Sequence, residues 1–194
     1  MKVLKSYQVI LTGVFFILLT AGTMFGQNYR MDNSSEIIIE GTSNIHDWEM
    51  KATSKQGGAT ITTEDGKLTG ISKLQVTVPA ESLESGKSGM DKNAYKALKT
   101  GDHKNIEFKL DEVKKIEANG SSYKINGLAT LKISGVTKQV PVAFTAKLNG
   151  DKLEINGEEN LNMKDYKIDP PTAMFGTITT GEELTIKFKS TFSK

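Results

Sequence analysis

The sequence predicts an all-β domain: an extended antiparallel β-barrel of about eight strands carrying one short helix. Three observations carry this. Apolar residues recur at every second position through most of the chain beyond its first 26 residues, which is the strand period and not the helical one. Glycine-containing turn signals separate these runs. A single segment, Lys87 to Thr100, follows a helical period instead.

In chain order, Lys2 and Lys5 precede an unbroken apolar stretch from Val9 to Thr20, followed by small residues at Ala21, Gly22 and Gly26. This has the form of a secretory signal peptide over residues 1–26, cut near Gly26, with Ala21 and Thr23 as competing cut sites. The apolar run is shorter than the ~20 residues that cross a bilayer. Residues 27–194 are then one exported domain, periplasmic or secreted. The chain has 0 cysteines, so no acylated anchor, disulfide or thiolate chemistry is expected. Removing Lys2 and Lys5 from the 25 basic residues balances the 23 acidic ones. No basic excess remains of the kind nucleic-acid binding requires.

The strand runs follow. Ile37 to Ile39 lead to Trp48, Met50 and Ala52, then Leu74, Val76 and Val78, then Ile106, Phe108 and Leu110. The longest reads Tyr123, Ile125, Gly127, Ala129, Leu131, Ile133, with only Leu128 interrupting its polar face. Val140, Val142, Phe144, Ala146 and Leu148 form another, and Leu184, Ile186 and Phe188 the last. Turns are expected at Gly57-Gly58, Asp65-Gly66, Asn119-Gly120, Asn149-Gly150-Asp151 and Gly181. Alternation admits a sandwich as well as a barrel; closure is favoured because it leaves no sheet edge exposed.

Within Lys87 to Thr100, Met90, Ala94, Ala97 and Leu98 share one side of a helix, with Tyr95 beside them and Gly101 as the stop. Such a helix can cover one end of a barrel. Lys164 to Gly176 is irregular, and Pro170-Pro171 makes it a loop or an edge strand.

Catalytic chemistry finds little footing. The two histidines, His46 and His103, lack neighbours at metal-ligand spacing, and His103 reads as a solvated turn residue. Gly41-Thr42-Ser43 is not a nucleophile elbow. The acidic pairs Asp111-Glu112, Glu158-Glu159 and Glu182-Glu183 point to opposite faces of their strands and read as surface charge. No catalytic residue, metal site or cofactor is expected. His46 shares strand parity with Trp48 and Met50, so it is a candidate contact for a ligand head group, against the alternative of a plain turn histidine. Met90, Met163, Met174 and Phe175 could line an adaptable apolar cavity or serve as core.

Gly41-Thr42-Ser43-Asn44-Ile45-His46-Asp47-Trp48, the helix from Met90 through Tyr95 to Leu98 followed by Ile106-Glu107-Phe108, and above all Tyr123 to Lys138 (YKINGLATLKISGVTK) resemble the YceI-like, polyisoprenoid-binding family. The resemblance spans roughly Ser35 to Phe192. It implies a lipocalin-like barrel with an elongated apolar tunnel, a polyisoprenoid or isoprenoid quinone as ligand, and export in many members. Asn105, where the family commonly has proline, and Lys164 to Gly176 depart from its pattern.

The expectation is a non-enzymatic protein that sequesters or carries a long apolar chain. Trp48, Met50, Val76, Phe108, Ile125, Leu131, Phe144 and Phe188 are the expected tunnel lining, with Met90 and Tyr95 at one mouth. Two rivals stand beside it: a structural or stress-response envelope domain with a packed core, and an enzyme acting on a lipid with His46 and Asp47 as an acid–base pair. A homodimer stays an open alternative.

Overall fold

Along Ser122–Ile133 the residues Ile125, Gly127, Ala129, Leu131 and Ile133 are buried while Lys124 and Asn126 face solvent, so a two-residue period produces a strand with one dry face. The same rule builds the whole domain. The computed structural model describes residues 26–194; the leader expected over residues 1–26 falls, apart from Gly26, outside the described residues.

Twelve strands form one antiparallel sheet system: β1 (Gln27–Met31), β2 (Glu36–Ser43), β3 (Trp48–Ala52), β4 (Gln56–Glu64), β5 (Lys67–Pro79), β6 (Leu83–Glu84), β7 (Asn105–Asn119), β8 (Ser122–Ile133), β9 (Val136–Asn149), β10 (Lys152–Asn162), β11 (Thr172–Ala173) and β12 (Ile178–Ser193). A single helix, α1 (Ser88–Leu98), lies between β6 and β7.

These strands make eight long walls. β12 pairs β1 through Phe192 and Ser193 and pairs β2 from Lys189 back to Thr180, so β1 and β2 are one wall interrupted at residues 32–35. β4 pairs β5, and β3 pairs β6; β3 with β4, and β5 with β6, are likewise single interrupted walls. The ring then closes through β7, β8, β9, β10 and β12 back to β1. Closure removes the open edges that would invite aggregation.

Each interruption is sealed by a hydroxyl. The Ser35 hydroxyl donates to the Thr191 carbonyl (3.1 Å) and accepts from the Thr191 N–H (3.0 Å). Thr53 N–H donates to the Ser82 carbonyl (2.8 Å), and the Ser82 hydroxyl donates to Ser54 and Pro79 carbonyls. Ser35 and Ser82 are buried, and their bonds replace the ladder bonds lost at the breaks.

Hairpins at Asp65-Gly66, Ser134-Gly135, Gly120 and Gly150 use positive φ, as tight turns require. Two expected turns are strand instead. Gly57 and Gly58 lie inside β4, where a Cβ at Gly57 would stand 2.6 Å from the Gln75 carbonyl oxygen; they permit close strand approach, not reversal. Gly181 falls at a bulge within β12. The helix stop also shifts: Lys99, at φ 54, ends α1 with its N–H on the Lys96 and Tyr95 carbonyls, ahead of Gly101. His103 is half-buried with its ring over Gly135, where a Cβ would stand 2.4 Å from it, so it supports the β8–β9 turn rather than standing in solvent.

The barrel has two unlike halves. Toward the hairpin turns at residues 65–66 and 119–122, Tyr29, Ile61, Leu110, Ile125, Leu153 and Phe192 fill the interior. Toward α1, the inward residues Ile106, Val140, Val142, Ile186 and Phe188 are only partly buried, although they lie on the dry faces of their strands. What they face is an internal space.

Candidate functional site

That space is a cavity of about 1350 Å³, above the ~300–1,000 Å³ usual for small-molecule pockets. Leu74, Phe144, Ile155 and Phe192 form its floor, where the packed half begins. Its walls are Ile37, Ile39, Trp48, Met50, Val76, Val78, Ile106, Phe108, Leu131, Val140, Val142, Ile186 and Phe188. Glycines make room for the rings. A Cβ at Gly157 would lie 2.6 Å from the Phe188 ring, and one at Gly41 2.2 Å from the Trp48 indole. Trp48 Nε1 donates to the Thr42 carbonyl (2.9 Å), so the indole is fixed with its polar edge satisfied.

α1 lies across the open end, with Met90, Ala94, Ala97 and Leu98 on the cavity. None of its residues is fully buried, because hollow space lies behind it. Its position is held by Tyr95, whose hydroxyl reaches the Glu81 and Leu83 carbonyls (2.9 Å each), and by Asp91, which accepts from the Ser85 N–H and hydroxyl (2.8 and 2.6 Å).

Eight of the ten expected liners border the cavity: Trp48, Met50, Val76, Met90, Phe108, Leu131, Phe144 and Phe188. Ile125 does not. It is 0% exposed and pairs with Phe144 below the floor, so its side chain is spent on the packed half. Tyr95 does not either, since its ring is turned to tether α1 to the wall.

His46 stands on the rim in the β2–β3 turn. Its N–H donates to the Ser43 hydroxyl (3.2 Å), which in turn donates to the His46 carbonyl (2.7 Å). Nδ1 lies 2.7 Å from the Asp47 carbonyl, an acceptor, so Nδ1 donates there and Nε2 is left free of that contact. Asp47 itself borders a separate polar groove with Glu40, Glu49 and Glu183, apart from the cavity. Among the described residues no three His, Cys, Asp or Glu side chains gather as a metal site would need.

Glu159 corrects the surface reading of the acidic pairs. It shares the inward parity of Ile155 and Leu161 on β10 and borders the cavity. Burial alone pushes its carboxyl above the ordinary 4.5, and none of the eight ion pairs among the described residues includes it. Nearby, Tyr166, in the turn after β10, is buried with a hydroxyl that has no partner. Its pKa is raised, first by burial and then by Asp165 and Glu159.

The irregular segment completes the rim. β11 pairs with the start of β12, and Met174, Phe175 and Gly176 follow with φ of 50, 55 and 87. Left-handed backbone at a bulky residue is rare and costs about 1–3 kcal/mol at each. Met163, Met174 and Phe175 border the cavity with Met90.

An eight-stranded antiparallel barrel, solid at one end and hollow under a helix at the other, defines the class of cavity-bearing, lipocalin-like barrels. The chain belongs to the YceI-like domain family, whose model matches residues 29–192. Solved structures share this fold at low identity. Burkholderia cenocepacia BcnA has a TM-score of 0.65 at 17% identity, covering 83% of this chain and 98% of its own. A polyisoprenoid binding domain from Saccharophagus degradans, implicated in plant cell wall breakdown, has a TM-score of 0.65 at 13% identity, covering 85% and 97%. A Campylobacter jejuni YceI protein has a TM-score of 0.55 at 13% identity, covering 98% and 99%. No curated protein matches the sequence.

Proposed function

We propose that the protein binds one long apolar lipid, a polyisoprenoid or an isoprenoid quinone, in the barrel cavity, and that it sequesters or carries this lipid without transforming it. The observation that carries the reading is the hollow half itself: thirteen apolar wall side chains, all on inward strand faces, are left around a space, open at the helix end, that a packed core would have filled. Transfer of hydrocarbon out of water, at about 25 cal/mol per Å², supplies affinity without a charged anchor. The Saccharophagus degradans relative, a polyisoprenoid binding domain of the same fold, supports the ligand class. His46 Nε2 at the rim and Glu159 on the wall are among the polar groups a head group would meet. Export to the periplasm or the exterior, through cleavage near Gly26, agrees with a role on a lipid of the envelope.

Trp48, the only tryptophan in the chain, borders the cavity and reports on its filling. Titration with a polyisoprenol or an isoprenoid quinone changes Trp48 fluorescence saturably, at one ligand per barrel. Fluorescence unchanged by either ligand, with none retained on gel filtration, would refute the reading.

A further inference from the structure

Water-soluble domains seldom leave large apolar side chains bare, and contiguous ones mark interaction sites. Among the described residues three large hydrophobic side chains stand exposed: Ile45 at 57%, Met174 at 67%, and Phe175 fully. They come from chain positions far apart, yet all three border the same cavity mouth. The backbone joins their two segments. Asn44 N–H donates to the Thr179 carbonyl (3.1 Å), Asn44 Nδ2 donates to the Thr177 carbonyl (2.9 Å), and Thr179 N–H donates to Asn44 Oδ1 (3.0 Å). Ile45 is therefore held beside the Met174–Gly176 turn. The left-handed backbone at Met174 and Phe175 persists although both residues disfavour it, and such conformations gather where function demands them.

Basic charge predominates along the cavity border: Lys92 and Lys96 on α1 and Lys87 just before it line the cavity, and the one acid that does so, Glu159, sits on a barrel strand rather than on the helix. Asp91, on the same helix, is engaged by Ser85.

We propose that this rim docks on the surface of an anionic bilayer, with Ile45, Met174 and Phe175 entering the interface and Lys87, Lys92 and Lys96 facing lipid phosphates. The inference rests on the lipid-binding reading above: a water-insoluble ligand has to pass between bilayer and cavity, and the apolar rim is the place where it does so without crossing water. Apolar residues flanked by lysines are the combination by which peripheral proteins lie on such surfaces.

Flotation of the full domain with vesicles tests this. The protein co-floats with phosphatidylglycerol-containing vesicles at low salt, less at high salt, and little with phosphatidylcholine alone. Phe175→Ser lowers the bound fraction's partition constant roughly tenfold, and joint Lys87→Glu, Lys92→Glu and Lys96→Glu substitution lowers it roughly a hundredfold. Thermal melts establish that each variant is folded. Flotation of the folded variants equal to that of the parent overturns the proposal. So does a parent that takes up polyisoprenol delivered in solvent, read by Trp48, but floats with no vesicle; the lipid-binding reading then survives, with a protein as the mouth's partner. A parent that does neither overturns both.

Discussion

The two halves of this barrel are built from the same walls by the same alternation, yet one is solid and the other hollow. On β8, Ile125 and Leu131 point to the same side. Ile125 meets Phe144 across the ladder with Tyr29, Leu153 and Phe192 around it, and nothing is left open. Leu131 borders the cavity. The solid half gathers the largest buried cluster, whereas at the other end smaller clusters around Leu131 and Met50 surround an open space that no side chain fills. The difference places the largest core cluster at one end of the molecule and the cavity at the other.

The sharpest test makes one substitution in both halves. Ile125→Ala opens a void in close-packed surroundings and costs about 2–5 kcal/mol by urea denaturation. Ile186→Ala, on the cavity wall, enlarges a space that already exists and costs less than half as much. Equal costs would erase the distinction between the halves.

Gly157→Ala acts at the boundary. Its Cβ would press on Phe188 and Phe144, so it destabilises the domain by about 1–3 kcal/mol and moves a cavity-lining ring. A loss of ligand affinity with it, read by Trp48 fluorescence, ties the glycine to the shape of the hollow half. Tyr166→Phe removes a buried hydroxyl that has no partner and leaves stability unchanged or raises it by about 1 kcal/mol. A clear loss of stability would mean that the hydroxyl is bonded after all.

The smallest effect belongs to Glu159. Its carboxyl holds a proton more tightly in the folded state, because burial pushes its pKa above 4.5. The stability tied to this group is therefore fully present below that ordinary value and is lost as pH rises through the raised one. Glu159→Gln removes the dependence, so its stability relative to the parent grows across that window. A difference independent of pH would contradict the cavity environment assigned to Glu159.

Much of this was legible in the residues. The antiparallel strands with one dry face follow from the period of two, the barrel over the sandwich only from the advantage of leaving no open edge, and the helix between β6 and β7 from the spacing of Met90, Ala94, Ala97 and Leu98. Alternation reports which face a side chain takes, however, and not how far along the barrel axis it lies. Ile125 and Leu131 are therefore equivalent in sequence and separated only by the bulk of their neighbours across the ladder. Glu159 was within reach of the same rule: in an acidic pair on a strand one member must point inward, and Ile155 and Leu161 fix which. Gly57-Gly58 misled because glycine serves close strand approach as readily as reversal. Met174 and Phe175 were candidates for a cavity lining, but their place beside Ile45 on one rim was out of reach, since the hydrogen bonds of Asn44 to Thr177 and Thr179 join segments with no shared pattern.

The central claim is that the hollow half holds a lipid. Native mass spectrometry of the protein purified from its own cells, followed by denaturing solvent extraction, tests it most directly. One isoprenoid chain per barrel, released on unfolding and absent from a buffer blank, is the predicted result. A mass equal to that of the bare polypeptide, with no lipid in the extract and none taken up on reconstitution, would contradict it.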